Sequence, residues 1–297
     1  MKRIHEKDLL EVSDTLYPHG RLINAKRLEG GFSCDVFILD IQTAHKESKL
    51  VFRSEGSYPA DNSIETEFNL LKVLNTTNLP VSEAIYLDTS CKILHRPFMI
   101  MSYLDGSLGT SNEKVICDHE LMATQLRNIH QIEIDKLPEL FHRVDPLDQL
   151  LSYIPKGRDW NEIRNFIKNL SIDEYKGKKC LLHGDYWPGN ILWNNENISG
   201  ILDWEYAAIG DPLADLAVTC LDARYFNGEI GMNSFKQKYL GNEKIDEYRF
   251  NLWLIYIAAS TLHYINNWNL DKQTKSIMKR ESKLTILGSF NIIKNQS

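Results

Sequence analysis

Four polar residues stand at the edges of short apolar runs between Leu181 and Pro212: His183, Asp185, Asn190 and Asp203. The runs are Ile191-Leu192-Trp193 and Ile198 to Trp204. A carboxylate beside a buried strand is costly unless something is paired with it. If 191–193 and 198–202 pair as a hairpin across 194–197, residues 190 and 203 meet at its open end. An amide oxygen and a carboxylate there suit a hard cation such as Mg²⁺, which takes few protein ligands and keeps phosphate oxygens and waters. Asp185 would face the same space and could accept a proton from an attacking hydroxyl. Each residue alone has a plainer explanation, as a turn former, an Asx turn after Pro188-Gly189 or a strand-end cap. In this order, flanked by apolar runs, they point to chemistry.

Such residues need elements to hold them. The first hundred residues read mostly as strand, with candidates at 21–29, 34–42 and 49–55 joined by short turns, an antiparallel meander. A helix follows: Ser63 is a plausible N-cap, and Ile64, Phe68, Leu71 and Leu74 recur at helical spacing. Further strand candidates lie at 83–88 and 96–104. Beyond Asp105-Gly106 the periodicity turns helical, over 113–131, 145–154, 159–170, 212–226, 232–241, 244–268 and 271–294. The stretch holding the four polar residues is a β island in this helical half. The chain is therefore expected to be α+β, with a β-rich N-terminal lobe carrying one main helix over 1–104 and a mostly helical C-terminal lobe over 105–297.

The composition bounds the function. The 297 residues, 43% hydrophobic and 25% charged, are those of an ordinary soluble globular protein. A net charge of −6 argues against a nucleic-acid binder. The five cysteines are far apart, with no C-x-x-C pair, so neither a zinc site nor a disulfide framework is expected, and free thiols in a reducing cytoplasm are the simplest account. The N-terminus has no apolar signal-peptide core, and no window approaches the roughly 18 apolar residues of a membrane span.

The spacing H-x-D-x-x-x-x-N followed by a metal-binding Asp is the logic of kinase phosphoryl transfer. The segments HGDYWPGN, ILDWE and GDPLADLA, in this order, closely resemble the aminoglycoside phosphotransferase family of small-molecule kinases, relatives of the choline and macrolide kinases. The resemblance extends over most of the chain and is sharp over 181–217. It implies a bilobal protein-kinase-like fold, with nucleotide bound by the N-terminal lobe and catalysis and substrate binding in the C-terminal lobe. It also implies Asp185 as the catalytic base, Asn190 and Asp203 as Mg²⁺ ligands, and His183 as a scaffold for the loop. Asp211 and Asp215 resemble positions that brace that loop.

For the nucleotide the resemblance implies the turn Gly30-Gly31-Phe32-Ser33, with Ser33 at the phosphates, although GGFS is shorter than the full G-x-G-x-x-G pattern. Arg53 stands where the family's strand ends in a phosphate-binding lysine, and Glu67 matches the helix glutamate that pairs with it. Arginine still neutralises phosphate, with a different reach and shape. Lys49, on the same strand face, is the fallback. Met101, Ser102 and Leu104 resemble the hinge that receives the purine. The implied donor is ATP or GTP with Mg²⁺, and the implied acceptor a small hydroxylated molecule: an aminoglycoside or macrolide antibiotic, or a metabolite such as choline, an amino alcohol or a sugar. A non-catalytic nucleotide-binding module on the same fold is the competing class. No nucleic acid or membrane partner is expected, and the oligomeric state stays open. The aromatics Trp253, Tyr256, His263, Tyr264 and Trp268 are core residues by default, with a place at the acceptor as the alternative.

Overall fold

The computed structural model describes residues 4–28, 34–44, 46–56, 61–110 and 118–296. In chain order the elements are α1 (Glu6–Leu16), β1 (Arg21–Arg27), β2 (Cys34–Gln42), β3 (Glu47–Glu55), α2 (Ile64–Leu74), β4 (Ala84–Asp88), β5 (Phe98–Ser102) and β6 (Ser107–Leu108). There follow α3 (His119–His130), α4 (Leu147–Tyr153), α5 (Asn161–Lys168), β7 (Cys180–Leu182), β8 (Ile191–Asn194), β9 (Asn197–Ile201), β10 (Ala208–Gly210), α6 (Leu213–Leu240), α7 (Glu247–Tyr264) and α8 (Lys272–Lys294). The chain divides into two compact units. One comprises Met1–Ser111, Asp135–Phe141 and Gly189–Ala207, and the other Asn112–Ile134, His142–Pro188 and Ala208–Ser297.

The first unit is built on a five-stranded antiparallel sheet of order β1-β2-β3-β5-β4. Alternation sorts its side chains. Phe37, Leu39 and Ile41 of β2 and Leu50 and Phe52 of β3 join Leu9 and Val12 of α1 in one buried cluster. On β3 the side chains alternate, so Arg53 points to the opposite face from Phe52. Helix α2 begins as the sequence suggests, Ser63 Oγ accepting from Thr66 N at 3.1 Å, and it buries Ile64, Phe68, Leu71 and Leu74. Helix α1 is an element that periodicity did not single out. Its first turn closes when His5 N donates to Asp8 Oδ2 at 2.8 Å, and Leu9 and Val12 are fully buried. A second, three-stranded sheet of order β6-β8-β9 completes this unit.

The second unit is mostly helical. The short ladder β10-β7 pairs Ala208 with Leu182 and Gly210 with Cys180. Helices α6, α7 and α8 pack on one another, α3 packs on α6 and β7, and α4 packs on α7. The two helical segments expected at 212–226 and 232–241 are the two arms of α6, separated by a kink where Asn227 (φ −130°) and Gly228 (φ +62°) leave helical dihedrals. A positive φ costs glycine nothing, which explains the break in periodicity there. No disulfide is present among the described residues, and no described helix is long and apolar enough to cross a membrane.

Candidate active site

The loop after β7 carries His183, Gly184 and Asp185. Its backbone is held by one carboxylate. His183 N and Gly184 N donate to the two oxygens of Asp215 at 2.7 and 2.9 Å, and His130 Nε2 lies 3.2 Å from Oδ2. Asp215 is fully buried. Burial works to raise its pKa, but the bonds and charges of His130 and His183 outweigh that and hold it below the ordinary carboxylate range. Gly184 has φ +85°, a left-handed conformation that glycine adopts without strain. Asp185 N donates to His183 Nδ1 at 3.3 Å, so the imidazole supports the loop from within. Tyr186 anchors its far end: its hydroxyl donates to Met122 O at 3.0 Å, and its carbonyl accepts from Thr219 Oγ1 at 2.8 Å. Asp215, Thr219 and Asp222 recur at i, i+4 and i+7 along α6, one face of the helix. Asp222 is half-buried, and its pKa is raised well above the usual value by burial and by the charge of Asp185.

In the other unit, the β8-β9 hairpin pairs Ile191 with Ile201, and Leu202 N donates to Asn190 O at 2.9 Å. The structure therefore brings Asn190 and Asp203 to the same open end. Asp203 has φ +64°, an unusual backbone for a non-glycine residue and one that costs on the order of 1–3 kcal/mol. Its carboxylate accepts from Arg53 Nη2 at 2.9 Å and is 33% exposed. Arg53 is itself buried and meets two more carboxylates. Nη2 donates to Glu205 Oε2 at 2.8 Å, and Nε lies 3.1 Å from Glu67 Oε2, an ionic contact without an aligned hydrogen bond. One guanidinium thus faces three carboxylates. Burial, with the charges of Asp203 and Glu205, pushes Glu67 up to about 7 despite the opposing pull of Arg53. Lys49 instead lies over the Tyr103 ring, 5.4 Å from its centroid.

Other residues singled out from the sequence fall elsewhere. Ser33 lies outside the described residues. Met101 pairs with Val51 and Ala84 inside the sheet. Ser102 N donates to Glu83 O at 2.9 Å and its hydroxyl accepts from Glu83 N at 2.8 Å, while Leu104 lies just beyond the end of β5. Asp211 has described partners away from the loop after β7. Its carboxylate accepts from Leu213 N at 2.9 Å, Arg249 Nε at 2.5 Å and Trp253 Nε1 at 2.8 Å, which ties the start of α6 to α7. Trp253 is accordingly core. Tyr256, His263 and Tyr264 gather around Tyr153, with centroids 5.4 to 5.7 Å from it.

Sequence reasoning missed Glu205, Asn62 and His130. Glu205 carried a signal, being an acid two residues past Asp203 in a buried run. Asn62 and His130 carried none, because their partners are distant in sequence. Among the described residues no group of three or more His, Cys, Asp or Glu is placed to hold a metal by itself. A site of one carboxylate and one amide has to be completed by a ligand's oxygens.

A model of the phosphotransferase enzyme family matches residues 24–249. The chain is 28% identical over 230 residues to a probable aminoglycoside 3'-phosphotransferase of Lactococcus lactis, covering 69% of this chain and 84% of that protein. It is 24% identical over 253 residues to acyl-CoA dehydrogenase family member 10 of Mus musculus, covering 75% of this chain but 23% of that protein. The chain thus spans less than a quarter of that dehydrogenase relative. Among solved structures, a thermostable mutant of an aminoglycoside phosphotransferase, in ternary complex with AMP-PNP and hygromycin B, matches with a TM-score of 0.62. The match is 12% identical and covers 94% of this chain and 97% of that one. At that identity the likeness shows the fold, which is the α+β, kinase-like one expected from the sequence.

Proposed function

The chain belongs to the phosphotransferase enzyme family, and we propose that it is a small-molecule kinase. In this reading it moves the terminal phosphate of ATP or GTP to a hydroxyl of an antibiotic, an aminoglycoside or macrolide, or of a related metabolite. The observation that carries the reading is the charge imbalance at Arg53, where one buried cation meets Glu67, Asp203 and Glu205. Even with Glu67 pushed up to about 7, Asp203 and Glu205 outnumber the one cation, so negative charge is left over beside Asn190, and Asp203 is the exposed member. That donor set fits Mg²⁺, with Asp203 and Asn190 as protein ligands. Bound there with nucleotide, the ion would neutralise phosphate oxygens.

The chain's own residues do the rest. Arg53 adds a fixed positive charge beside the phosphates. Residues 1–104 bind the nucleotide and residues 105–297 the acceptor, with the purine received at Met101, Ser102 and Leu104 and the phosphates also met at Ser33. Asp185 accepts the proton of the acceptor hydroxyl and orients its oxygen for in-line attack on the terminal phosphorus. Asp215 and His183 keep that carboxylate on a rigid loop, so that most of the catalysis is positioning and charge stabilisation.

The neighbour that holds a nucleotide analogue and an antibiotic supports both the donor class and an antibiotic acceptor. The similarity to part of an acyl-CoA dehydrogenase family protein favours the second reading, a metabolic acceptor. The test is a coupled nucleotide-consumption screen over antibiotics and metabolites, run with ATP and with GTP. Wild type should turn over at least one acceptor. Asp185→Asn should cut turnover about a thousandfold or more and leave nucleotide affinity near wild type. Equal turnover in the variant would refute the role of Asp185, and no turnover across the panel would favour a binding module.

A further inference from the structure

The three carboxylates that meet Arg53 are not equivalent. Glu67 and Glu205 are each 4% exposed, whereas the Asp203 side chain is 33% exposed and stands with Asn190 at the end of the hairpin. The two buried anchors share one frame. Asn62 donates through N and Nδ2 to Glu205 O at 3.0 and 3.2 Å, and through Nδ2 to Ala207 O at 2.7 Å. Two residues later Ile64 opens α2, the helix that carries Glu67. One buried amide therefore joins the loop after Asp203 to the helix bearing the other anchor.

We infer that Glu205 is a positioning residue: it holds the Nη2 arm of Arg53 independently of Asp203, leaving Asp203 able to serve a divalent cation and nucleotide phosphate. This rests on the phosphotransferase reading. The arrangement requires a forked cation. Nε faces Glu67 while Nη2 faces Glu205, so the anchors grip different nitrogens of one planar group. A lysine ammonium is a single point charge on a flexible stem and offers no second arm. Glu205 thus accounts for arginine at a place where the family resemblance led to lysine. With Glu205 neutral or withdrawn, Nη2 would keep only Asp203 of these two acids. That tighter pair would then compete with any cation at the same carboxylate.

The test measures binding of a fluorescent ATP analogue to the full chain as Mg²⁺ is titrated, for wild type, Glu205→Gln and Glu205→Asp, with thermal melting recorded for each. The aspartate variant keeps the charge but is one methylene too short for the 2.8 Å contact. In both variants the half-saturating Mg²⁺ concentration should rise about tenfold, the worth of one charge-assisted hydrogen bond, with binding restored at saturating Mg²⁺. A merely structural role would lower the melting temperature and leave the Mg²⁺ dependence in place, which overturns the inference. Curves that overlay wild type overturn it while leaving the phosphotransferase reading intact. An aspartate variant that behaves as wild type beside an impaired glutamine variant reduces Glu205 to its charge and also overturns it. Wild type that binds no nucleotide at any Mg²⁺ concentration overturns the underlying reading itself. Should the Glu205 variants not fold, Asn62→Ala frees the same loop without touching the ion cluster. It must show the same rise, and a normal Mg²⁺ dependence there refutes the inference.

Discussion

Replacing Asp215 by asparagine removes one charge and one acceptor from the middle of the second unit. The carboxylate takes His183 N at 2.7 Å on one oxygen and Gly184 N at 2.9 Å on the other, with no exposure to solvent. An asparagine keeps a single oxygen. One of the two N–H groups then faces an amide NH₂ and is left buried without an acceptor, and the other bond loses its charge assistance. An unsatisfied buried donor costs about 1–3 kcal/mol and the lost charge assistance about 1 more, so the variant should be about 3 kcal/mol less stable. With a urea slope of about 3 kcal/mol/M for a chain this long, the midpoint should fall by roughly 1 M. The difference should depend on pH. Because the Asp215 pKa is lowered on folding, its contribution is complete above the unfolded carboxylate value of 3.8 and is lost as pH falls through the lower folded value. The gap between wild type and Asp215→Asn should therefore be constant near neutral pH and narrow only in acid. Urea titrations across pH, with amide exchange followed at His183 and Gly184, measure both effects. A midpoint within about 0.3 M of wild type, with those two amides still protected, would refute the argument that this carboxylate holds the loop.

Two further outcomes test the second unit. Arg249→Met should cost about 3–5 kcal/mol in urea unfolding, because it strips the charge partner from Asp211, itself 3% exposed; a loss below about 1 kcal/mol would sink that assignment. Asp222→Asn should stabilise the protein, and more so at about pH 8 than at about pH 5, since a carboxyl whose pKa rises on folding loses stability as pH increases above its unfolded value. Melting curves that show no such pH trend would mean that Asp222 is not held out of water beside the charge of Asp185.

Much of the fold was legible because its signals are local. Strand alternation in β2 and β3 and the capped helix α2 each depend on neighbours within a few residues, and the structure places them close to where the pattern does. Helix α1 was less visible. What stabilises it is the burial of Leu9 and Val12 with the sheet residues Phe37 and Phe52, a partnership that sequence spacing does not display. The break in α6 was legible for the opposite reason: it is local, with Asn227 and Gly228 leaving helical dihedrals where the periodicity lapses.

At the candidate site the division is sharper. Residue types and spacing singled out Asp185, Asn190 and Asp203, and the structure puts Asp185 on the loop after β7 and Asn190 and Asp203 at the open end of the hairpin, because a loop and a hairpin are local structures. They could not separate Asp211 from Asp215. Both stand in GDPLAD at the start of α6, four residues apart, yet Asp215 holds the backbone of the loop after β7 and Asp211 holds Arg249 and Trp253 of α7. Nor could they show that Arg53 would meet Glu205, 152 residues away, as well as Glu67 and Asp203. The sequence by itself determined which groups can ionise. Only the tertiary structure decided which charges share a partner, because that depends on distances of about 3 Å between segments whose separation along the chain sets no distance at all.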